Sequence, residues 1–438
     1  MSWNKVYDNS GKNLLGWSIN GGGKGGQGWY DLSLAVAPND ENTIFVGGVN
    51  IWKSVNGGRN FEISAHWVGS ENVPYVHADH HMLKFRQTDN RLFSCNDGGI
   101  YESEDYGTSW IDISQGLEIL QIYRISSSQS VFDLHITGNQ DNGSMKRSAT
   151  EWFEINGADG MECIIDPSDP DLMFTSFYYG NFFRTYDGGK TFSPIGPPEE
   201  RGNGAWITPL QLISNSSSAL YAGYKQVYYS LDKGTQWLKI SKDLPGNKNL
   251  RSLEVSEFNK EYIYAATYYD IWVSKNGGIS WENISQGLPQ LAITSIETDP
   301  MNPEKLWVTL SGYNEDNKVY VSNNSGIEWT NYSSGLPNVP ANTIIYQKKS
   351  RDALYLGTDI GVYYRDGEMG EWKAFDNGLP NVIVNDFEIQ YQWDRIIGGT
   401  YGRGLWYSPL AQESLTKSYF KIITMSRNLC VNNDHFFS

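Results

Sequence analysis

Apolar residues in this chain come in short bursts separated by clusters of Gly, Asn, Asp and Ser. Runs such as Asn50-Ile51-Trp52-Lys53 and Tyr269-Asp270-Ile271-Trp272-Val273 read as β-strands. Each leads into one polar pattern, Ser/Thr-x-Asp/Asn-x-Gly-x-x-Trp/Phe. A second short run follows it, as in Trp110-Ile111-Asp112-Ile113 and Trp237-Leu238-Lys239-Ile240. Strand, tight polar turn and strand make a β-hairpin.

The pattern recurs at Ser54 to Phe61, Ser103 to Trp110, Thr185 to Phe192, Ser230 to Trp237, Ser274 to Trp281 and Ser322 to Trp329, with worn copies ending at Trp152 and Trp372. A period of roughly 40 to 50 residues is that of propeller blades. In each box the Asp/Asn and Ser/Thr side chains satisfy turn N–H groups, Gly takes the positive-φ position, and the aromatic packs beneath. A second marker trails the boxes, as in Ser285-Gln286-Gly287-Leu288-Pro289 and Ser334-Gly335-Leu336-Pro337, and reads as the crossover between blades. A third, Asp166-Pro167-Ser168-Asp169-Pro170 and Asp299-Pro300-Met301-Asn302-Pro303, reads as the first hairpin turn of a blade.

These signals predict an all-β fold, a single large β-propeller of about nine four-stranded blades over residues 1–408, with a non-repeat tail at 409–438. Ser2-Trp3-Asn4-Lys5-Val6 resembles the tail of a box and Tyr401-Gly402-Arg403-Gly404-Leu405-Trp406-Tyr407 a third strand without one. The N-terminal strand is therefore expected to close the last blade; the other reading of these ends is that the chain is part of a longer protein.

Composition narrows the function. Of 438 residues, 14% are aromatic and 45 are Gly, which excludes disorder; no apolar run suits a membrane helix. A net charge of −16 without a basic stripe argues against nucleic acid. Cys95, Cys163 and Cys430 are too scattered for a disulfide framework or a zinc site, and no secretion signal is visible. The Gly-rich segment 20–28 lacks the Gly-Lys-Ser/Thr ending of a phosphate loop and reads as an inter-blade loop with Trp17, Trp29 and Trp67 near it. The sequons at Asn215 and Asn283 are of chance frequency.

The boxes resemble those of the Asp-box (BNR) repeat propellers, a group that includes sialidases, xyloglucanase-type glycoside hydrolases, the sortilin receptor domain and a photosystem II assembly factor. The resemblance covers roughly residues 1 to 408. The segments Gly26 to Asp31, Gly47 to Ser54, Val76 to Asp79 and Asn96 to Tyr101 are most similar to secreted sortilin-like proteins of Bacteroidetes-type bacteria. That resemblance implies an extracellular or cell-surface location, whereas the fold alone assigns no function.

Propellers place ligands on second-to-third-strand turns and inter-blade loops at one end of the channel. Alignment by boxes puts Asn50, Asp97, Asp141, Tyr179, Tyr224, Tyr269, Asp359 and Arg403 at those turns. Carboxylates and tyrosines suit a sugar, so Asn50, Tyr179, Tyr224, Tyr269 and Arg403, with Trp29, are the candidate ligand contacts. The bland reading is that they finish hairpins and line a wet channel. Glycoside hydrolysis would use Asp97 and Asp141, with Asp359, as its carboxyl pair. Asn96-Asp97-Gly98-Gly99 and Thr358-Asp359-Ile360-Gly361 resemble the xyloglucanase context, while Asn50 stands where that pattern wants an acid. A sialidase is excluded, because Tyr123-Arg124-Ile125-Ser126 lacks the proline of its entry motif. His77, Asp79 and His81 form a metal candidate against the blander reading of a polar loop.

The expectation is a binding module for a glycan or protein partner at the channel mouth, without cofactor, nucleic acid or membrane insertion, as a monomer or part of a longer chain. A glycoside hydrolase is the alternative.

Overall fold

The computed structural model describes residues 4–8, 11–149, 151–213, 219–242, 244, 247–411, 418–424 and 426–427, the last two by backbone alone. Ser2, Trp3, Asn215, Cys430 and most of 409–438 lie outside these. The described chain contains nine antiparallel sheets and, besides strands, two three-residue 3-10 turns. All nine sheets expected from the repeats are present. They span residues 33–65, 80–112, 122–156, 160–195, 210–239, 252–283, 293–331, 341–374 and 383–422, and are numbered 1 to 9 in that order. Each is a meander of four strands, and sheet 3 gains a fifth, Ser426–Arg427, parallel to its outer strand.

The boxes sit at the third-to-fourth-strand turns. In sheet 4 the Thr185 hydroxyl donates to Asp187 Oδ1 at 2.6 Å and accepts from Gly189 N at 3.1 Å, while Asp187 Oδ1 accepts from Lys190 N and Thr191 N, both at 2.9 Å. The same bonds recur from Ser54, Ser230, Ser274 and Ser322. Five hydrogen-bonding groups are thereby satisfied in a turn that has no strand partner. The crossover serines act at the other end: Ser114, Ser241, Ser285 and Ser333 each accept an N–H from the first or second residue of the third strand of their own sheet.

The chain forms two compact units, residues 1–117 and 118–438. In the first, sheets 1 and 2 enclose Ala35, Phe45, Ile51, Leu83, Phe85 and Leu92. In the second, apolar clusters fill the gaps between sheets 3 and 4, 4 and 5, 5 and 6, 6 and 7, 7 and 8, and 8 and 9. A seventh joins sheet 9 back to sheet 3, where Ile397, Leu405 and Ile423 meet Leu120, Ile122, Ile125 and Trp152. The seven sheets of this unit thus close a circuit. Some second strands, such as Ala219–Gly223 and Leu354–Thr358, are buried over their whole length, whereas fourth strands such as Leu238–Lys239 are exposed. Gly399 sits at the 9-to-3 seam, where a Cβ would come within 2.6 Å of Ile125, so only glycine admits this close approach.

One expectation is corrected. The fourth strand of sheet 9 is Lys421–Ile422, paired with Trp406 and Tyr407, and not the N-terminal strand. Residues 4–8 form no strand, and Tyr7 packs edge-on against Phe61 in the first unit. Residues past 409 provide the closing strand because Phe420 and Ile423, each 3% exposed, have apolar surface that only the blade interior can bury.

Candidate functional site

All eight residues read as second-to-third-strand turns occupy such turns, Asn50 and Asp97 in the first unit and the others in the second. Their side chains differ in what they do. Asn50 is fully buried, donating to Gly16 O at 3.0 Å and accepting Trp67 N at 3.2 Å, and Tyr224 is fully buried with its hydroxyl on Gly180 O at 2.6 Å. Both are therefore corrected from ligand contacts to turn supports. Asp359 accepts Asn342 Nδ2 at 3.0 Å, and Asp141 N donates to Asp159 at 2.8 Å. Tyr179 and Tyr269 are 42% and 43% exposed, and Arg403 is exposed.

In the second unit the first strands, Ile122–Ser127, Gly160–Asp166, Leu210–Ile213, Ser252–Val255, Ile293–Asp299, Ala341–Tyr346 and Ile383–Gln390, line a common cavity of about 160 Å³. This is the central channel. Arg124, Glu162, Gln211, Arg251, Glu254, Thr294, Asn342 and Asp386 are among its lining residues. A strand that edges a channel has unpaired backbone groups on that side. Side chains from the neighbouring strand close them: Asp386 accepts Ile125 N at 2.9 Å, Ser126 accepts Ile165 N at 3.0 Å, Gln211 accepts Val255 N at 2.7 Å and Glu297 accepts Tyr346 N at 2.8 Å. The channel carboxylates are in this sense part of the fold. Burial raises their pKa values: Glu162 and Glu254 to about 7, Glu388 to about 8 and Glu297 well above its ordinary value. Repulsion from Asp386 adds to Glu388, and Arg124, 3.2 Å from Glu162, opposes the rise at Glu162.

Around the mouth runs a band of aromatic residues. Trp206, in the sheet 4 to sheet 5 crossover, stacks on Tyr178 with 5.4 Å between centroids and meets Tyr179 edge-on at the same distance. Its indole N–H donates to Tyr123 at 3.2 Å, and Tyr123 and Tyr401 both donate to Gln140 Oε1. Arg251 lies over the Tyr268 ring at 4.1 Å, and Tyr268 contacts Tyr269 at 5.5 Å. Tyr178 and Tyr179 at the sheet 4 turn form one aromatic group with Trp206, and Tyr268 and Tyr269 at the sheet 6 turn form a second, both at the end of the sheets that carries the second-to-third-strand turns.

The first unit holds a separate polar cluster. Asp97 accepts from Tyr30 and His81, each at 2.7 Å, and Gln27 donates to Asp79 at 2.5 Å. The Asp31 carboxyl, fully buried, faces Asp79. Burial, then repulsion from Asp31, pushes Asp79 up to about 7, so the two carboxyls share a proton near neutral pH. Among the described residues no group of three or more His, Cys, Asp or Glu is placed to hold a metal. The metal candidate is corrected accordingly: His77, Asp79 and His81 turn to different partners, Ala78 O, Gln27 and Asp97. Trp29 is 85% exposed. No described helix is long and apolar enough to cross a membrane.

Arg251, Trp206, the channel carboxylates and the Asp31–Asp79 pair were not singled out by sequence. The period-two run Asp386, Glu388, Gln390 is the signal that was available, and register shifts at Val384/Asp386, Ile293/Ser295 and Ala341/Thr343 break that period at the mouth.

No protein-family model matches this chain, and no curated protein matches it. Solved structures do. An ancestral GH74 enzyme superposes with a TM-score of 0.57 at 14% identity, over 68% of this chain and 46% of that one. YCF48 from Cyanidioschyzon merolae superposes with a TM-score of 0.51 at 11% identity, over 66% of this chain and 94% of that one. Both are β-propellers. The likeness is one of fold. The match spans less than half the length of the enzyme.

Proposed function

We propose that the protein is a binding module, displayed outside the cell or on its surface, that takes a glycan or protein partner at the channel mouth of the second unit. The observation that carries this reading is the exposed aromatic rim formed by Tyr178, Tyr179, Trp206, Tyr268 and Tyr269. Exposed aromatic surface of this kind, gathered in one place beside polar groups, marks recognition sites. The box turns add nothing to it, since their carboxylates and hydroxyls are consumed by backbone N–H groups. The boxes themselves fit the Asp-box type.

The test is binding of the purified protein to panels of polysaccharides and peptides. Tyr179→Ala and Tyr269→Ala should each weaken binding several-fold; unchanged affinity in both would place the site elsewhere. A reducing-end assay on the same polysaccharides checks for turnover. Release of sugar that disappears in Asp97→Asn would replace the binding reading with a hydrolase.

A further inference from the structure

The charged groups of the channel can be paired off in turn. Arg124 bonds Glu162 at 3.2 Å and is attracted by Asp386, which also accepts Ile125 N. Glu254 accepts from Gln211 at 2.9 Å and from Thr298 at 2.7 Å. Glu297 accepts Tyr346 N, Ser126 bonds Glu388, and Lys348 pairs with Glu257 at 2.5 Å. Arg251 is what remains. It lines the cavity, half-buried over Tyr268, which hydrogen-bonds it and with Tyr269 favours its charge, while the cation Arg124 opposes that charge and no carboxylate acts on it. Among the described residues it has no ion pair. Burial, with Arg124 adding to it, pushes the Arg251 pKa below its ordinary value. A guanidinium drawn out of water without an acid partner is costly to keep, and a carboxylate supplied from outside relieves that cost.

We propose that the channel mouth receives a carboxylate-bearing peptide segment, with the Arg251 guanidinium forking the carboxylate and Tyr268, Tyr269, Tyr179 and Trp206 covering the residues on either side. This rests on the reading of the mouth as a binding surface. A peptide is favoured over an acidic polysaccharide by shape: the space beneath the rim, about 160 Å³ and walled by seven first strands, admits one side chain or chain end. A polysaccharide lying across a protein uses an open groove. Tyr, Trp and Arg are also the residues that dominate protein interfaces.

The experiment is an array of short synthetic peptides in matched sets: Asp- or Glu-containing, their Asn or Gln counterparts, and free-acid against amidated C-termini. Oligogalacturonate and neutral oligosaccharides form separate arms. It is probed with the full chain as wild type, Arg251→Gln, Arg251→Lys and Tyr269→Ala, each checked for native near-UV circular dichroism. Acidic peptides should bind, their amide counterparts should not, and Arg251→Gln should weaken binding at least about tenfold. Arg251→Lys should fall between, because it keeps the charge and loses the fork, and it serves if the Gln variant misfolds. Equal binding of acidic and neutral peptides, unaffected by Arg251→Gln and weakened by Tyr269→Ala, overturns the carboxylate assignment and leaves the mouth as the site. Binding confined to oligogalacturonate overturns the peptide assignment. Binding to nothing, or binding indifferent to all three variants, overturns both.

Discussion

Asp133 joins the last sheet of the second unit to the first, and Asp133→Asn measures what that junction is worth. Its carboxylate accepts Arg395 Nη2 at 3.0 Å and lies 3.1 Å from Arg147 Nη1, and the two arginine side chains are only 7% and 8% exposed. Arg395 is further held by Gln390, 2.6 Å away, and Gln390 donates to Ser128 O across the seam at 2.7 Å. Replacing the carboxylate leaves two nearly buried guanidiniums facing a neutral amide. Breaking a fully buried pair costs about 3 to 5 kcal/mol. Asp133 is itself 24% exposed, so water recovers part of that, and a loss of about 2 to 4 kcal/mol is expected. At roughly 2 °C per kcal/mol for a large domain, Tm should fall by about 4 to 8 °C. The pH dependence adds a sign. The His135 ring facing it at 3.8 Å, then the hydrogen bond from Arg395, holds the Asp133 pKa below the ordinary carboxylate range, so its contribution is present above about pH 4 and is lost as pH falls through the lowered value. His135 is kept neutral by burial, so protonation of the unfolded chain begins to cost stability as pH falls below about 6.5. Urea unfolding of wild type and variant between pH 3 and 8 is the assay. The gap between them should narrow below about pH 4. A gap under about 0.5 kcal/mol at pH 7 would refute the assignment of this network to the seam.

Three further outcomes follow from single contacts. Phe420→Ala removes a ring that is 3% exposed under the closing strand of sheet 9 and should cost about 3 to 5 kcal/mol in chemical unfolding; a loss below about 1 kcal/mol would mean that strand does not close the blade. Asp79→Asn deletes one of two carboxyls that share a proton. An acid whose folded pKa is raised to about 7 loses stability as pH climbs from about 4 to 7, so the variant should gain on wild type by on the order of 1 to 3 kcal/mol between pH 5 and 8. A constant difference across that range would contradict the shared proton. Asp187→Ala strips the box turn of sheet 4 of its acceptor for two backbone N–H groups and the Thr185 and Thr191 hydroxyls, and should lower stability by about 1 to 2 kcal/mol with partner binding unchanged. An altered affinity would give the turn a role in recognition.

The sheets were legible because everything that specifies a box lies within eight residues. Ser, Asp and Gly at fixed offsets close the turn without reference to the rest of the chain, and the aromatic then finds the strand beneath it. The seam between sheets 9 and 3 was not legible. It joins Asp386 to Ile125 and Gln390 to Ser128 across some 260 positions, and no local pattern encodes which sheet meets which. The closing strand was missed for a related reason: Lys421–Ile422 carries no box and owes its place to Phe420 and Ile423. Sequence placed the second-to-third-strand turns correctly, yet exposure separated them afterwards, Tyr179 and Tyr269 outward, Tyr224 and Asn50 inward. Arg251 escaped notice because it stands in a crossover next to a first strand, where neither box spacing nor strand alternation singles out one arginine.

Residues 118–438 close upon themselves, and the proposed binding mouth lies within this one unit. The direct measurement is the urea unfolding curve of that segment expressed alone, followed by near-UV circular dichroism. A single cooperative transition with native aromatic signal is predicted, since this unit's seven inter-sheet cores, the 9-to-3 seam among them, lie within it. A segment that aggregates, or that loses its signal without a transition, would contradict the closed circuit.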